Sequence, residues 1–226
     1  MEFKTAGFVL KKQNFGEADR ILRIFSRDFG IISVLAKGVK KTKSRKGGSL
    51  ELFGETNLRL HRRSGELFLL TDASPISAFE SKSLSVLRAA FAASELILNL
   101  APPEKALPRI YQIFQDFVTL LPIVNPRDIS EVNSVTKSKL QLIKIAFFAK
   151  VLAILGFFAI DENQAVREKK FFRFLLENDL ATILRLETDA AIFTAAEKSL
   201  LEISENAAEK NSRVDSATRN WDKIGA

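Results

Sequence analysis

The sequence predicts an α+β protein in which a small five-stranded β-barrel is followed by an all-helical domain. In the first 79 residues, apolar and β-branched side chains recur in short runs between turn-forming residues, a pattern typical of strands. Beyond Phe79 the apolar period changes to about 3.6, the period of an α-helix. The charge changes at the same point: residues 1–79 contain 15 Lys and Arg and 8 Asp and Glu, whereas residues 80–226 contain 19 of each. We therefore expect a basic barrel over residues 1–79 and a neutral helical domain over residues 80–208.

The barrel is predicted to consist of two hairpins and one strand between them. Turn residues stand at Gly16, at Asp28-Phe29-Gly30 and at Arg63-Ser64-Gly65. The predicted strands cover residues 4–13, 19–26, 31–39, 55–62 and 66–73. So many short strands in so short a segment favour a small barrel.

The helical domain is predicted to contain helices at residues 83–100, 108–121, 136–155, 164–178 and 188–208. The apolar run at residues 140–160 approaches the length of a membrane span, but Lys144 and Lys150 lie inside it. Because a lysine near the bilayer centre costs roughly 2.5–3.5 kcal/mol, a buried central helix is the favoured interpretation. The polar tail, residues 209–226, is predicted to be frayed or disordered.

Composition excludes several kinds of chemistry. The chain has no cysteine, so disulfides, thiolate zinc sites and cysteine nucleophiles are impossible. The first ten residues carry both acidic and basic side chains and lack the apolar core of a signal peptide. A cytoplasmic protein is the expectation.

Candidate catalytic residues are few. The single histidine, His61, stands beside Arg62 and Arg63 without a triad pattern, and Asp161-Glu162 is better explained as the start of a helix. Lys46-Gly47-Gly48 lacks the spacing of a phosphate-binding loop. We therefore expect a binding protein rather than an enzyme, with no cofactor and no metal, although a hydrolase or transferase remains a third class of alternative.

A dense group of cations indicates a polyanionic partner. Five of the seven residues in the segment 40–46, here called the basic segment, are cationic: Lys40, Lys41, Lys43, Arg45 and Lys46. Such a run repels itself unless an anion neutralises it, and Lys and Arg are the usual phosphate contacts of nucleic-acid-binding proteins. The alternative is a solvated loop tip.

Alternation on the second predicted strand places Arg23, Phe25 and Arg27 on one face and Leu22 and Ile24 on the other. An outward Phe between two Arg is a typical arrangement for base stacking. The alternative is that Phe25 packs beneath the helical domain.

Several stretches in register resemble the RecO family of bacterial recombination-mediator and DNA-repair proteins. The stretches are Gly7-Phe8-Val9-Leu10, Phe15-Gly16-Glu17-Ala18-Asp19-Arg20, Leu35-Ala36-Lys37-Gly38-Val39-Lys40-Lys41, Lys43-Ser44-Arg45, Leu50-Glu51-Leu52-Phe53, Gly65-Glu66-Leu67 and the helical run from Phe147 to Gly156. Many members carry a four-cysteine zinc site, which is impossible here, and the basic C-terminal segment of many relatives is missing.

The resemblance implies an oligonucleotide-binding (OB) fold followed by a helical domain, and a role in DNA repair and homologous recombination. It also implies binding of single- and double-stranded DNA, strand annealing, and help in loading RecA recombinase onto strands coated by single-stranded-DNA-binding protein (SSB). RecR and the acidic C-terminal tail of SSB are the implied protein partners. An RNA-binding barrel and a helical adaptor that acts mainly through protein partners remain the alternatives.

Two sets of site residues follow. The expected DNA-binding set consists of Arg23, Phe25, Arg27, Lys37, Lys40, Lys41, Lys43, Arg45, Lys46, Arg62 and Arg63. The expected contacts for the SSB tail are Lys144 and Lys150, since an acidic peptide with an aromatic end needs an apolar pocket rimmed by cations.

Overall fold

The N-terminal third of the chain closes into a five-stranded barrel. The computed structural model describes residues 1–40, 47–62, 67–124, 134–161, 164–187 and 190–224. Its strands are β1 (Glu2–Phe15), β2 (Asp19–Ser26), β3 (Gly30–Ala36), β4 (Glu55–His61) and β5 (Leu67–Ser77). They are ordered β1-β2-β3-β5-β4 and β4 returns to pair with β1; β3 and β5 are parallel, whereas the other pairs are antiparallel. This arrangement confirms the predicted barrel of the OB type.

Six helices follow among the described residues: α1 (Leu84–Leu100), α2 (Pro108–Val124), α3 (Ser134–Ile154), α4 (Val166–Glu177), α5 (Leu180–Ile183) and α6 (Ala190–Ile224). Ser83 caps α1, because its hydroxyl accepts from the backbone N–H of Val86. The apolar run around Lys144 and Lys150 is confirmed as a central helix, since α3 packs against α1, α2, α4, α5 and α6. Among the described residues, no helix is long and apolar enough to cross a membrane.

Helix α6 differs from the expectation for the C-terminal tail. The sequence predicts a frayed or disordered tail over residues 209–226, whereas α6 continues to Ile224. No Pro or Gly occurs between residues 190 and 224, so nothing in the backbone interrupts the helix before Gly225. The side-chain amide of Asn211 donates to the carbonyl oxygen of Asn99 at 3.1 Å, which fastens this part of α6 to the end of α1.

The barrel has two apolar sides. Its interior is filled by side chains such as Val9, Leu22, Ile24 and Leu60, all completely or nearly completely buried. One part of its outer surface is also apolar and joins the core of the helical domain through Phe8, Leu10, Phe25, Ile31 and Phe53. Strands β1 and β2 therefore contribute to two apolar cores. Their inward residues fill the barrel interior, and some of their outward residues pack against the helical domain.

A buried carboxylate fastens the barrel to helix α2. Glu55 of β4 is 5% exposed, and it accepts from the Tyr111 hydroxyl at 2.7 Å and the Gln115 side-chain amide at 2.9 Å. Burial, together with the hydrogen bond and negative charge of Glu55, raises the pKa of Tyr111 well above its ordinary value. The phenol therefore stays a donor, and the buried carboxylate keeps its partners.

The connection between α1 and α2 packs on the start of β3. The backbone N–H of Glu104 donates to the carbonyl oxygen of Ile31 at 3.1 Å, and Ile31 pairs with Pro103 in an isolated bridge. Gly30 makes this approach possible, since a Cβ there would stand 2.0 Å from the backbone oxygen of Lys105. Gly30 also has a φ of +65°, which disfavours any other residue.

Gly30→Ala is expected to lower the free energy of unfolding by about 2–4 kcal/mol, because left-handed strain and a backbone clash add together. Gly16→Ala is the matched control: its φ is +60°, but no atom of the described residues lies within 4 Å of the added Cβ. That variant retains only the strain, about 1–2 kcal/mol. Urea unfolding of both variants measures the difference, and equal losses would show that contact with the residue 101–107 connection does not constrain Gly30.

Candidate nucleic-acid interface

The exposed face of the barrel across β1, β2 and β3 combines cations with apolar side chains. Arg23 pairs across the strands with Lys11 on one side and Ser33 on the other, and Ile21 pairs with Leu35. We call these five residues the β1–β3 face. Lys11 is exposed and the other four are partly exposed, because the period-two alternation turns Leu22, Ile24 and Val34 into the barrel interior.

Arg23 is oriented by its neighbour on β3. Its Nη1 donates to the Ser33 hydroxyl oxygen at 2.9 Å, while the remaining donors of the guanidinium carry no other described hydrogen bond. A guanidinium positioned by one hydrogen bond, with Ile21 on the same face of the strand, offers a charge to a phosphate and an apolar surface to a base.

Lys37 and Lys40 are brought to the end of this face by two backbone contacts. The Asp19 carboxylate accepts from the Gly38 N–H at 2.8 Å, and the Lys40 N–H donates to the carbonyl oxygen of Ala18 at 3.0 Å. Both lysines are exposed. Lys40, the first residue of the basic segment, therefore lies beside the β1–β2 turn, whereas Lys41, Lys43, Arg45 and Lys46 lie outside the described residues.

Arg27 lies away from Arg23, at the other end of β2. It is exposed, 3.6 Å from the carboxylate of Asp28, and lines a cavity of about 290 Å³ together with Lys4 and Arg59. Glu2 pairs with Arg59 at 3.3 Å, so the charges at this end of the barrel are mixed rather than uniformly basic.

Arg62 holds the connection between α1 and α2. Its two terminal nitrogens donate to the Glu104 carboxylate at 2.8 and 3.2 Å, and its guanidinium carbon lies 4.9 Å from the centre of the Phe68 ring. This bidentate pair already occupies much of the donor capacity that a phosphate would need. His61 beside it is partly exposed, and Arg63 lies outside the described residues.

The prediction that Phe25 stacks on a base is wrong. Phe25 does point to the same side of β2 as Arg23, but it is completely buried. Its ring lies 5.5 Å from that of Tyr111 and 6.2 Å from that of Phe114, both on helix α2. The helical domain covers this end of the strand because Phe8 and Phe25 together offer it an apolar surface. No base can reach the ring.

Lys144 and Lys150 both lie on α3, and both ammonium groups have partners. Lys144 forms an ion pair with Glu197 of α6, and it lines a cavity of about 440 Å³ with Arg88 of α1. Lys150 donates to the backbone oxygen of Leu176 at 3.0 Å. Burial lowers the pKa of Lys150; the charge of Asp179 opposes this shift and that of Arg109 adds to it.

A cleft that the sequence did not predict separates the β1–β3 face from helix α1. It has a volume of about 560 Å³ and is lined on the barrel side by Lys11, Gln13, Ile21 and Arg23. Helix α1 contributes Phe91, Ser94, Leu98 and the exposed polar side chains Glu95 and Asn99. We call it the α1 cleft.

The sequence around Phe91 contains a signal for this surface. The apolar residues of the buried stripe of α1 are Val86, Ala89, Ala90, Ala93, Leu96, Ile97 and Leu100. Phe91 lies off this stripe and is 45% exposed. A large aromatic residue outside the apolar stripe of a helix indicates an additional contact surface.

Within the described residues, no group of His, Asp and Glu side chains is arranged to hold a metal ion.

Comparison with known proteins identifies relatives of both parts of the chain. A family model described as Recombination protein O N terminal matches residues 1–79. The DNA repair protein RecO of Dehalococcoides mccartyi strain 195 is 29% identical over 220 residues, which cover 87% of this chain and 87% of that protein.

Two other relatives match over a shorter length. The DNA repair protein RecO of a second Dehalococcoides mccartyi strain is 37% identical over 114 residues, which cover 50% of this chain and 45% of that protein. That of Syntrophotalea carbinolica is 36% identical over 114 residues, 49% of this chain and 44% of that protein. The barrel topology, the family match over the barrel and the long alignment with the first relative agree: residues 1–79 match the N-terminal part of the RecO family, and the chain as a whole is similar to RecO proteins.

Proposed function

We propose that this protein acts in DNA repair and recombination by binding single- and double-stranded DNA through its barrel, residues 1–79, and by annealing complementary strands. The observation that supports this most directly is the β1–β3 face, where Lys11 and Arg23 pair with each other next to Ile21 and where Lys37 and Lys40 lead into the basic segment. An OB barrel uses the outer surface of its second and third strands to bind oligonucleotides, and here that surface is cationic.

Charge accounts for both binding and annealing. Lys and Arg side chains on the barrel displace the counterions of a phosphate backbone, which favours association with both single- and double-stranded DNA. When two complementary strands bind one basic surface, the repulsion between their phosphates decreases and pairing becomes easier. Neither step requires a nucleotide cofactor or a metal ion.

The test is a titration with fluorescent single-stranded DNA, duplex DNA and RNA of equal length, at two salt concentrations, followed by an annealing assay in excess EDTA. We expect DNA binding that weakens with salt, and an annealing rate that the chelator leaves within about twofold. Absence of binding to every polymer at low salt overturns the proposal. Preferential binding of RNA favours an RNA-binding role, and loss of annealing in EDTA with binding intact contradicts the metal-free mechanism.

The second proposed role belongs to the helical domain, residues 80–208. We propose that it captures the acidic, aromatic-ended C-terminal tail of SSB and, with RecR, helps to load RecA recombinase onto SSB-coated strands. The cavity beside Lys144 supports this, because Arg88 and Lys144 supply cations and Leu140 supplies an apolar wall. An acidic peptide would compete with Glu197 for Lys144, and a carboxylate near Lys150 would favour its charged form.

Replacing both Lys144 and Lys150 by Ala is expected to weaken binding of a labelled acidic, aromatic-ended peptide about tenfold or more, because charge-assisted hydrogen bonds are lost. Lys198→Ala with Lys210→Ala removes two exposed charges of α6 and serves as the matched control. Fluorescence anisotropy measures the dissociation constant of each variant. Equal binding by the wild type and the Lys144, Lys150 variant would show that these lysines are not the site.

A further inference from the structure

The α1 cleft combines an aromatic ring for a base, cations for a phosphate and polar groups for the edge of the base. Phe91 offers an aromatic ring that is 45% exposed, and Lys11 and Arg23 offer cations across the cleft from it. The volume of about 560 Å³ lies within the roughly 300–1,000 Å³ that is usual for small-molecule sites. The charge of Lys12, which also lines the cleft, is taken up by Glu51 at 2.7 Å, so among the described residues Lys11 and Arg23 are the cations available to a ligand. They lie on the barrel side, whereas the exposed carboxylate of Glu95 lines the α1 side.

Ser94 adds an independent indication of a ligand. It lines the cleft, it is 2% exposed, and its hydroxyl oxygen has no hydrogen-bond partner among the residues that the structure describes. A buried hydroxyl without a partner is unfavourable, because its desolvation is not compensated. The polar edge of a bound base would supply that partner. Gln13 and Asn99 line the same cleft with amides that can both donate and accept.

The orientation of Phe91 leaves part of its ring open. Its ring and that of Phe53 lie at 85° with centres 4.9 Å apart, an edge-to-face contact that fixes the ring on α1. Phe53 itself is buried and also contacts Phe79, so the support is rigid. A fixed, half-exposed aromatic ring beside cations is the usual stacking platform of proteins that bind single-stranded nucleic acids.

We propose that the α1 cleft binds one unstacked nucleotide of a single strand, with its base on Phe91, its phosphate on Lys11 and Arg23, and its base edge toward Ser94. This inference rests on the proposed DNA-binding function of the barrel. It assigns to Phe91, on the helical domain, the stacking role that Phe25 cannot perform. Duplex DNA does not present an unstacked base, so the cleft gives the protein a preference for single strands.

The test compares Phe91→Leu with Phe91→Tyr in titrations of single-stranded and duplex DNA of equal length. Leu keeps the apolar contact with Phe53 but lacks an aromatic face, whereas Tyr keeps the face. We expect Phe91→Leu to weaken single-strand binding about 5- to 150-fold, to change duplex binding less than about twofold, and to leave the salt slope unchanged. Phe91→Tyr should bind single strands within about threefold of the wild type.

Two further variants make the outcome unambiguous. Lys11→Ala should flatten the single-strand salt slope by about 0.7, since one phosphate contact is lost. Ile123→Ala removes an exposed apolar side chain at the end of α2, 66% exposed, and should change nothing. Equal loss of single-strand and duplex binding in Phe91→Leu overturns the stacking role, as does wild-type single-strand affinity in that variant. Failure of the wild type to bind any DNA would instead overturn the proposed function.

Discussion

Replacing Lys40, Lys41, Lys43, Arg45 and Lys46 by Ala is expected to flatten the salt dependence of single-strand binding by up to about 3.5 in the slope of log affinity against log salt. Each phosphate neutralised on a single strand contributes roughly 0.7 to that slope, and the segment holds five cations. Affinity at low salt and the rate of annealing should fall together. Thermal stability should change little, because a segment so polar and so like-charged contributes little to an apolar core.

The helical domain offers a control of equal charge. Arg167, Lys170, Arg173, Lys198 and Lys210 are all exposed and lie on α4 and α6. Their replacement by Ala changes the net charge by the same amount without altering the barrel. An equal flattening in both variants would mean that total charge matters and position does not. An unchanged salt slope in the variant of the basic segment would mean that other cations of residues 1–79 make the phosphate contacts.

Phe25→Ala is expected to lower the free energy of unfolding by about 3–5 kcal/mol, because it removes a fully buried ring from the junction between the barrel and α2. The protein that remains folded should bind single strands with nearly wild-type affinity and with an unchanged salt slope. Urea unfolding and oligonucleotide titration, both carried out at a temperature below the transition of the variant, measure the two effects separately.

Arg23→Ala should show the opposite pattern, although Arg23 lies only two residues away on the same face of β2. It loses one partly buried hydrogen bond to Ser33, about 0.5–1.5 kcal/mol, while the salt slope flattens by about 0.7. A loss of single-strand affinity in Phe25→Ala with no change in stability would show that the ring is accessible to bases after all.

The elements of the barrel were largely predictable from local pattern. The predicted strand at residues 19–26 has the same bounds as β2, because Gly16 and Gly30 mark the turns on both sides of it. The other strands differ from the prediction by a few residues at their ends. Pairing with a neighbour extends β1 and β5 beyond the apolar run, whereas β3 ends at Ala36, three residues earlier than predicted. Alternation also predicted correctly that Arg23 and Phe25 share a side of the strand.

The environments of those side chains were not predictable in the same way. Arg23 and Phe25 have the same orientation on β2, yet one lines an open cleft and the other lies under α2. The difference depends on where the helical domain covers the barrel, and that is decided by contacts such as Phe8 with Phe114. The α1 cleft likewise joins Lys11 to Phe91, which no local pattern relates.

By itself, the sequence determined that a basic five-stranded barrel precedes a neutral helical region, that cysteine chemistry is absent, and that the barrel resembles the RecO family. These properties depend on composition and on periodicity within one element, and both can be read from short stretches of the sequence. Only the tertiary structure decided that Phe25 is covered, that Arg62 is paired with Glu104, and that Phe91 borders a cleft. An apolar or charged side chain has no single role until the packing of distant elements determines whether solvent, a ligand or another side chain lies against it.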